Sequence, residues 1–370
     1  MNRTINLYIF LLLASCLSSA ALERSNRSKA SQQSGEPNLK ALSSLHNKSE
    51  GGKKQRMSAY LFAYFTGNTG NEEGLRFAIS RDGFTYKALN NNQPILDSKA
   101  ISSSGGIRDP HILRSADNKT FYMVATDMVS ARGWNSNRAM ILMKSANLTD
   151  WQTSVVNIQK TFSGYDDLLR VWAPQTIYDS EKGKYMVYWS MKVGNEPDKI
   201  YYAYANDDFT ALETAPKILF ASPKGGACID ADIVFKEDLY HLFFKTEGDG
   251  NGIKKAVCPT LTGEYEMIDK YLQSTANAVE GGCVFKMYDS DQWLFIYDMY
   301  MNGAYQFTQS TDLMNFSVVT NPVVFDFTPR HGTIIPITKE EEDRLMKKWG
   351  SGVGKNRTQI TPMKKIRNKE

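Results

Sequence analysis

Five short segments, spaced along the chain, constrain its fold more than any other feature. Each combines polar or ionisable side chains with the start of a run of alternating apolar residues. Successive segments begin between 50 and 64 residues apart. They are Arg-Asp-Pro-His-Ile at 108–112, Trp-Ala-Pro-Gln at 172–175, Ile-Asp-Ala-Asp-Ile at 229–233, Glu-Gly-Gly-Cys-Val at 280–284 and Arg-His-Gly-Thr at 330–333. A repeat of this length, made of short strands and turns, is typical of a β-propeller blade.

A second phrase recurs between these segments and supports the same fold. Ser-x-Asp or Ser-x-Asn, followed by an aromatic residue, occurs at 80–84, 145–151 and 310–316, with a related phrase at 205–209. Such a turn bonds its own backbone and closes a blade. We therefore predict an all-β, five-bladed propeller over residues 57–338, where a β-sandwich of repeated hairpins is the alternative. The ring closes by pairing N-terminal strands with a C-terminal strand, which removes free sheet edges.

The composition fits a sheet-rich core and disfavours a nucleic-acid partner. Hydrophobic residues make up 42% of the chain and aromatic residues 12%, which is ample for one large domain. The net charge of +4 comes mostly from the two ends, so the body is close to neutral. We expect a short helix and a basic tail at 339–370, and a monomer.

The N-terminus predicts export from the cytoplasm. Arg3 precedes an apolar stretch at 5–14 that is too short to span a membrane. The tetrad ending at Cys16 resembles a bacterial lipobox, and cleavage near Ala20 is the alternative. We expect a signal at 1–20, a flexible tether at 21–56, and a periplasmic or cell-surface lipoprotein of a bacterial envelope, which meets the membrane only through its lipid anchor.

Three cysteines remain in the body of the chain. Cys228, Cys258 and Cys283 show no metal-ligand spacing. One disulfide among them is an alternative, but a fold of this size needs no staple. We expect three buried free thiols.

The five segments would bring three carboxyl groups to one mouth of the propeller. Asp109, Asp230 and Glu280 come from three different blades. Paired carboxyl groups cleave glycosidic bonds: one protonates the leaving oxygen, and the other activates water or attacks directly.

The ordered set of segments resembles glycoside hydrolase family 43, whose members are five-bladed propellers acting on arabinose, xylose and related plant polysaccharide sugars. The matching phrases are Asp-Pro-x-Ile, Trp-Ala-Pro, Ile-Asp, Glu-Gly and Arg-His-Gly, in that order. The resemblance implies an inverting hydrolase in which Asp109 is the general base and Glu280 the general acid. Asp230 would tune the pKa of Glu280 and orient it. We expect that such an enzyme requires no cofactor.

Further residues of these segments are candidates for binding an oligosaccharide or polysaccharide substrate. His331 resembles the axial histidine of the family, which lies near a bound water or a structural calcium ion. The other candidates are Arg108, Trp172, Gln175, Trp134 and Asp232. For Arg108 a structural ion pair, and for Trp172 a place in the core, are the alternatives. Gln175 stands where many members carry an acidic residue, which bears on sugar specificity.

The resemblance favours an α-L-arabinofuranosidase. A β-xylosidase or a galactan-directed exo-glycosidase is the next interpretation. A surface glycan-binding propeller without catalysis is the alternative of another class, although such a protein has no need of all three carboxyl groups.

Overall fold

The structure is a computed structural model that describes residues 56–350. The predicted export signal, the lipobox, nearly all of the tether and the basic tail lie outside these residues. None of the helices described is long and apolar enough to cross a membrane.

Among residues 56–350, five sheets, antiparallel except at one outer edge strand, form the predicted five-bladed propeller. Blade II comprises β4 (Ile107–Arg114), β5 (Phe121–Asp127), β6 (Ala139–Ser145) and β7 (Gln152–Asn157). Blade III comprises β8 (Leu168–Asp179), β9 (Lys184–Val193), β10 (Lys199–Tyr204) and β11 (Lys217–Phe220). Blade IV comprises β12 (Ala227–Lys236), β13 (Leu239–Glu247), β14 (Gly252–Cys258) and β15 (Glu266–Ile268), and blade V comprises β16 (Glu280–Lys286), β17 (Trp293–Met299), β18 (Ala304–Ser310) and β19 (Ser317–Val318). In each of these blades the four strands follow one another outward from the axis.

Blade I closes the ring, as the sequence predicted. It joins β1 (Met57–Tyr64), β2 (Arg76–Ser80) and β3 (Thr85–Ala88) from the N-terminus to β21 (Gly332–Thr338) from the C-terminus. The pairing of β1 with β21 is antiparallel from Ala59↔Ile337 to Tyr64↔Gly332. A short strand, β20 (Val324–Phe325), adds a parallel outer edge to β3 that the sequence pattern did not indicate.

The recurring Ser-x-Asp phrase forms the same turn in several blades. In blade I the N–H of Gly83 donates to Ser80 Oγ over 2.9 Å, and the N–H of Phe84 donates to Asp82 Oδ1 over 2.8 Å. In blade V the N–H groups of Leu313 and Met314 donate in the same way to Ser310 and Asp312, at 2.9 Å and 2.7 Å. These side chains replace backbone partners at the turn, which explains why the phrase recurs at blade ends.

The apolar core is divided among the seams between blades. Its buried residues fall into five clusters, and each cluster joins two neighbouring blades. Trp189 of blade III, for example, packs with Val124 of blade II, while Phe243 of blade IV packs with Phe295 of blade V. The three cysteines are buried and unpaired, as expected.

Few helices accompany the sheets. Single turns of α-helix lie at Ser98–Ile101 and Ile158–Thr161, and 3₁₀ turns at Gly70–Glu72, Asn90–Asn92 and Ser130–Arg132. The helix Lys339–Trp349 follows β21 directly and begins with a capping box between Thr338 and Glu341. It packs on blade I through Leu345 and Trp349, so the C-terminal end of the described chain is tied to the ring closure.

Candidate active site

A β-bulge interrupts the inner strand of four blades at the same height. The ladder between the first and second strands shifts register at Arg108/His111, Trp172/Gln175, Ile229/Asp232 and Glu280/Cys283. In each bulge one residue has a left-handed backbone: Asp109 (φ 50°), Ala173 (φ 44°), Asp230 (φ 51°) and Gly281 (φ 58°). Bulges re-aim side chains near active sites, and left-handed residues other than glycine concentrate at functional sites. Two of the three predicted carboxyl groups therefore occupy equivalent bulge positions, and Glu280 lies one residue before its bulge.

These bulges form the floor of a cavity of about 450 Å³ at one end of the propeller axis. The cavity brings together all three predicted catalytic carboxyl groups and His331. It is lined by Asn68, Arg108, Asp109, Met128, Trp134, Arg170, Trp172, Ile229, Asp230, Lys245, Glu247, Glu280, Tyr300, Met301, Arg330 and His331. Its volume lies in the range usual for small-molecule sites, roughly 300–1,000 Å³.

Asp109 is held at both carboxylate oxygens. Its Oδ1 lies 2.7 Å from Nε2 of His331, and its Oδ2 accepts a 2.7 Å hydrogen bond from the Thr126 hydroxyl. Burial by itself would raise the pKa of Asp109, but His331, Arg108 and the Thr126 hydroxyl outweigh it and hold the pKa well below the usual range. Burial opposes charge on His331 as well, yet Asp109 raises the pKa of the imidazole to about 10. The pair is therefore an ionised carboxylate beside an imidazolium.

Asp230 orients the turn that carries Glu280. Its Oδ2 accepts a 3.0 Å hydrogen bond from the N–H of Gly281, and its own N–H donates to Ser190 Oγ over 3.1 Å. Burial, with the nearby charges of Glu280 and Asp109, raises the pKa of Asp230 to about 6, although His331 opposes the rise. At mildly acidic pH this carboxyl group is therefore largely protonated.

Two cations face Glu280, and the sequence pointed to neither of them as a site residue. Arg330 pairs with Oε1 of Glu280, and Lys245 Nζ lies 3.5 Å from its Oε2. Arg330 is fixed from behind by the fully buried Asp298, whose Oδ2 lies 2.6 Å from Nε. Burial alone would lower the pKa of Lys245, but Glu280 and Asp230 raise it, so this amine stays charged.

The sequence contains signals that could have identified Arg330, Lys245 and Asp298. Arg330 stands directly before His331 in one of the five segments. Lys245 and Asp298 each end an apolar run on the second strand of a blade, where a buried charge needs a partner.

Aromatic side chains and arginines form the wall of the cavity. Trp134 is 50% exposed and meets Trp172 edge to face, with their centroids 6.1 Å apart. The guanidinium of Arg170 lies 3.7 Å above the ring of Trp172. Arg108 lines the cavity but is also the structural ion pair named as the alternative, because its Nη1 lies 3.0 Å from Oε1 of the buried Glu73.

Gln175 and Asp232 do not line this cavity, contrary to the sequence-based expectation. They lie one layer deeper, in a ring of contacts between neighbouring inner strands. Asp232 Oδ2 accepts from the N–H of Val284 over 2.6 Å, and Gln175 Oε1 accepts from the hydroxyl of Tyr188 over 2.8 Å. Thr333, His111 and Tyr188 accept in the same way from the N–H groups of Ile112, Thr176 and Ile233. Asp232 therefore joins two blades directly, whereas Gln175 supports Tyr188 of its own blade, which makes the contact with the next blade.

The described residues at the floor are a poor fit for calcium. Ligand atoms of Glu280, Asp298 and His331 lie within 4.8 Å of one another, and Oδ1 of Asp298 and Nδ1 of His331 are buried without a hydrogen-bond partner among the described residues. However, the guanidinium of Arg330 already contacts both carboxylates. Calcium takes six to eight oxygen ligands, and the cavity beneath the floor, about 20 Å³, has room for about one water molecule.

Known proteins share this sequence pattern and fold. Residues 55–343 match the family model described as "Probable glycosyl hydrolase domain" (Glyco_hydro_43_rel). An α-L-arabinofuranosidase of Bifidobacterium longum subsp. longum is 28% identical over an alignment of 138 residues that covers 34% of this chain. The chain spans only 12% of the length of that relative.

Solved structures show the same architecture. An endo-1,4-β-xylanase of Bacteroides thetaiotaomicron superposes with a TM-score of 0.52 at 17% identity, covering 74% of this chain and 93% of the other. A xylan β-1,4-xylosidase of Bacillus halodurans also gives 0.52, at 18% identity, covering 70% of this chain and 52% of the other. At such identities the likeness establishes the fold, and the family model establishes the relationship. The chain belongs to the glycoside hydrolase family 43-related glycosyl hydrolase domains.

Proposed function

We propose that the protein is an inverting glycoside hydrolase that acts on side chains or oligosaccharides of plant-type polysaccharides. The observation that carries this proposal is the convergence of Asp109, Asp230 and Glu280, from three blades, on the floor of one cavity. Membership of a glycosyl hydrolase family supports it.

Asp109 serves as the general base. A base must be ionised to take a proton from water, and the low pKa of Asp109 keeps it so. Its contacts with His331 and Thr126 fix the orientation of the carboxylate, while each oxygen retains a lone pair for the attacking water.

Glu280 serves as the general acid, which protonates the leaving oxygen. Asp230 holds the Glu280–Gly281 turn through the N–H of Gly281. Lys245 and Arg330 fix the two oxygens of Glu280 separately. To donate a proton, Glu280 must carry it on one oxygen in place of the contact with Arg330 or Lys245, so one of these contacts is exchanged for the glycosidic oxygen when the substrate binds.

The spacing of the base and the acid is compatible with inversion. Nε2 of His331 lies 2.7 Å from Oδ1 of Asp109, and its Nδ1 lies 3.7 Å from Oε1 of Glu280. One imidazole ring therefore separates the carboxylates, which sets an upper limit of about 9 Å between these oxygens. Inverting enzymes use roughly 6.5–9.5 Å and retaining enzymes about 5–5.5 Å, so this upper limit admits both, and the anomer of the first product decides between them.

For the sugar, we propose an α-L-arabinofuranoside. The support is the partial relative, which is named an α-L-arabinofuranosidase. A β-xyloside or a galactan-derived sugar would use the same acid and base with a differently shaped wall.

The test is a panel of aryl glycosides and plant oligosaccharides, with the anomer of the first product followed by NMR. We expect release of arabinose with inversion. Glu280→Gln should slow hydrolysis by about 10²–10⁴-fold, and more so for poor leaving groups, because these depend most on the acid. Asp109→Asn should slow good and poor leaving groups alike. Glu181→Gln, on an exposed turn of blade III, is the matched control and should keep full activity.

Three outcomes would contradict the proposal. Retention of configuration would exclude Asp109 as a base for water. Full activity of Glu280→Gln would exclude it as the acid. Glycan binding without hydrolysis across the whole panel would favour the non-catalytic propeller.

A further inference from the structure

Arg170 presents a rigid guanidinium at the outer wall of the cavity. Its Nε and Nη2 donate to the two carboxylate oxygens of Asp198 over 2.8 Å and 2.5 Å, and Asp198 is almost fully buried. Its plane also stacks on the indole of Trp172, 3.7 Å from the ring centroid. A guanidinium held by a carboxylate and by an aromatic ring is already ordered, so little side-chain entropy is lost when a ligand binds to it.

Part of the hydrogen-bonding capacity of Arg170 is unused. A guanidinium has five N–H donors. One on Nε and one on Nη2 go to Asp198, and one on Nη1 reaches Asn135 Oδ1 over a long 3.5 Å. At least two N–H groups have no partner within residues 56–350, and the side chain lines the cavity. These donors are available to a ligand.

The position of Arg170 along its strand places it above the reacting groups. It lies three residues before Ala173, whose bulge is at the height of Asp109 and Asp230. At about 3.3 Å per residue, its backbone is roughly 10 Å nearer the opening than the carboxylate layer. A sugar cleaved at the floor would lie below it, and the group attached to that sugar would pass beside it.

We propose that Arg170 is a specificity-determining residue that hydrogen-bonds hydroxyl groups of the leaving-group sugar. This inference rests on the proposed glycoside hydrolysis. Trp172 then serves as the platform beneath the guanidinium, so that one face of its ring is closed to sugar stacking.

The local charge favours a neutral sugar over a uronate. Asp198 offsets the charge of Arg170, as Glu73 does for Arg108 and Asp298 for Arg330. These three cations are thus matched by carboxylates behind them, while the charges of Lys245 and of the His331 imidazolium offset those of Asp109 and Glu247 in front. With Glu280 protonated as the acid, the site has no net positive charge to attract a carboxylate ligand.

The experiment compares two classes of substrate with the same cleaved sugar. One class carries a sugar as the leaving group, and the other carries phenol, which is also a poor leaving group but has no hydroxyl groups once bound in glycosidic linkage. We expect Arg170→Met to lower kcat/KM on the oligosaccharide by about 10- to 100-fold more than on the phenyl glycoside, the range for a lost hydrogen bond to a charged group. Arg170→Lys should recover only part of this loss because the fork is missing.

Controls separate this effect from others. Arg132→Lys, exposed on the neighbouring loop and outside the cavity, should behave as wild type on both substrates. Equal losses for Arg170→Met on both substrates, or no loss on the oligosaccharide, would overturn the inference, since a purely structural role affects both alike. A wild-type protein that hydrolyses neither substrate would refute the proposed function itself, which is a different result.

Discussion

Gly281 is the position where a single methyl group would test how the floor of the cavity is built. It has a left-handed backbone at φ 58° and follows Glu280 directly. A Cβ at this position would lie 2.1 Å from Cβ and Cγ of His331. Gly281→Ala therefore combines backbone strain with a clash against the residue that holds Asp109.

The free-energy costs of the backbone strain and of the clash can be separated with a matched variant. Gly183, in the turn between β8 and β9, also has a left-handed backbone (φ 66°), but the nearest atom to an added Cβ is the Tyr178 hydroxyl at 3.9 Å. Gly183→Ala should therefore cost only the strain, about 1–2 kcal/mol. Gly281→Ala should add an overpacking cost of about 1–3 kcal/mol because His331 must move.

The assay is urea unfolding of both variants, together with hydrolysis of the substrate on which the wild type is most active. We expect Gly281→Ala to be less stable than Gly183→Ala and to lose most activity, since a displaced His331 releases Asp109. The same free energy of unfolding for both variants, with full activity of Gly281→Ala, would refute the description of the floor as a close-packed contact between Gly281 and His331.

Two further predictions concern the ion pairs. The raised pKa of His331 contributes stability that is complete below the pKa of an unfolded histidine, near 6.5, and is lost as the pH rises toward about 10. The free energy of unfolding should therefore fall between pH 7 and 9, and His331→Gln should flatten this fall. Identical slopes for both proteins would contradict the pairing of His331 with Asp109. Arg114→Ala should destabilise the protein by about 3–5 kcal/mol, because the buried carboxylate of Glu341, paired with Arg114 at 2.8 Å and 2.6 Å, would lose its cation and keep only the N–H of Thr338. Lys348→Ala removes an exposed ion pair between the same helix and Asp150, so it should change the urea midpoint very little. An equal effect of both variants would count against this role of the helix.

The sequence by itself determined the repeat and the residues that converge on the axis. The spacing of the five segments follows from blade length, and the Ser-x-Asp turns bond to their own backbone. Both are local properties that the order of residues carries. The positions of Asp109, Asp230 and Glu280 could be predicted because each stands at the start of an inner strand, and inner strands converge whatever the rest of each blade does.

Only the tertiary structure decided which side chains meet at the floor and which lie beneath it. Asp230 and Asp232 are two residues apart, yet one lines the cavity and the other accepts the N–H of Val284 in the layer below. The depth of a side chain along the propeller axis depends on which residues form the bulges and on how the inner strands of neighbouring blades are aligned. Partners such as Asp298 for Arg330 and Asp198 for Arg170 lie about 30 residues away in sequence. Such contacts follow from strand pairing and ring closure, so no local pattern in the chain records them.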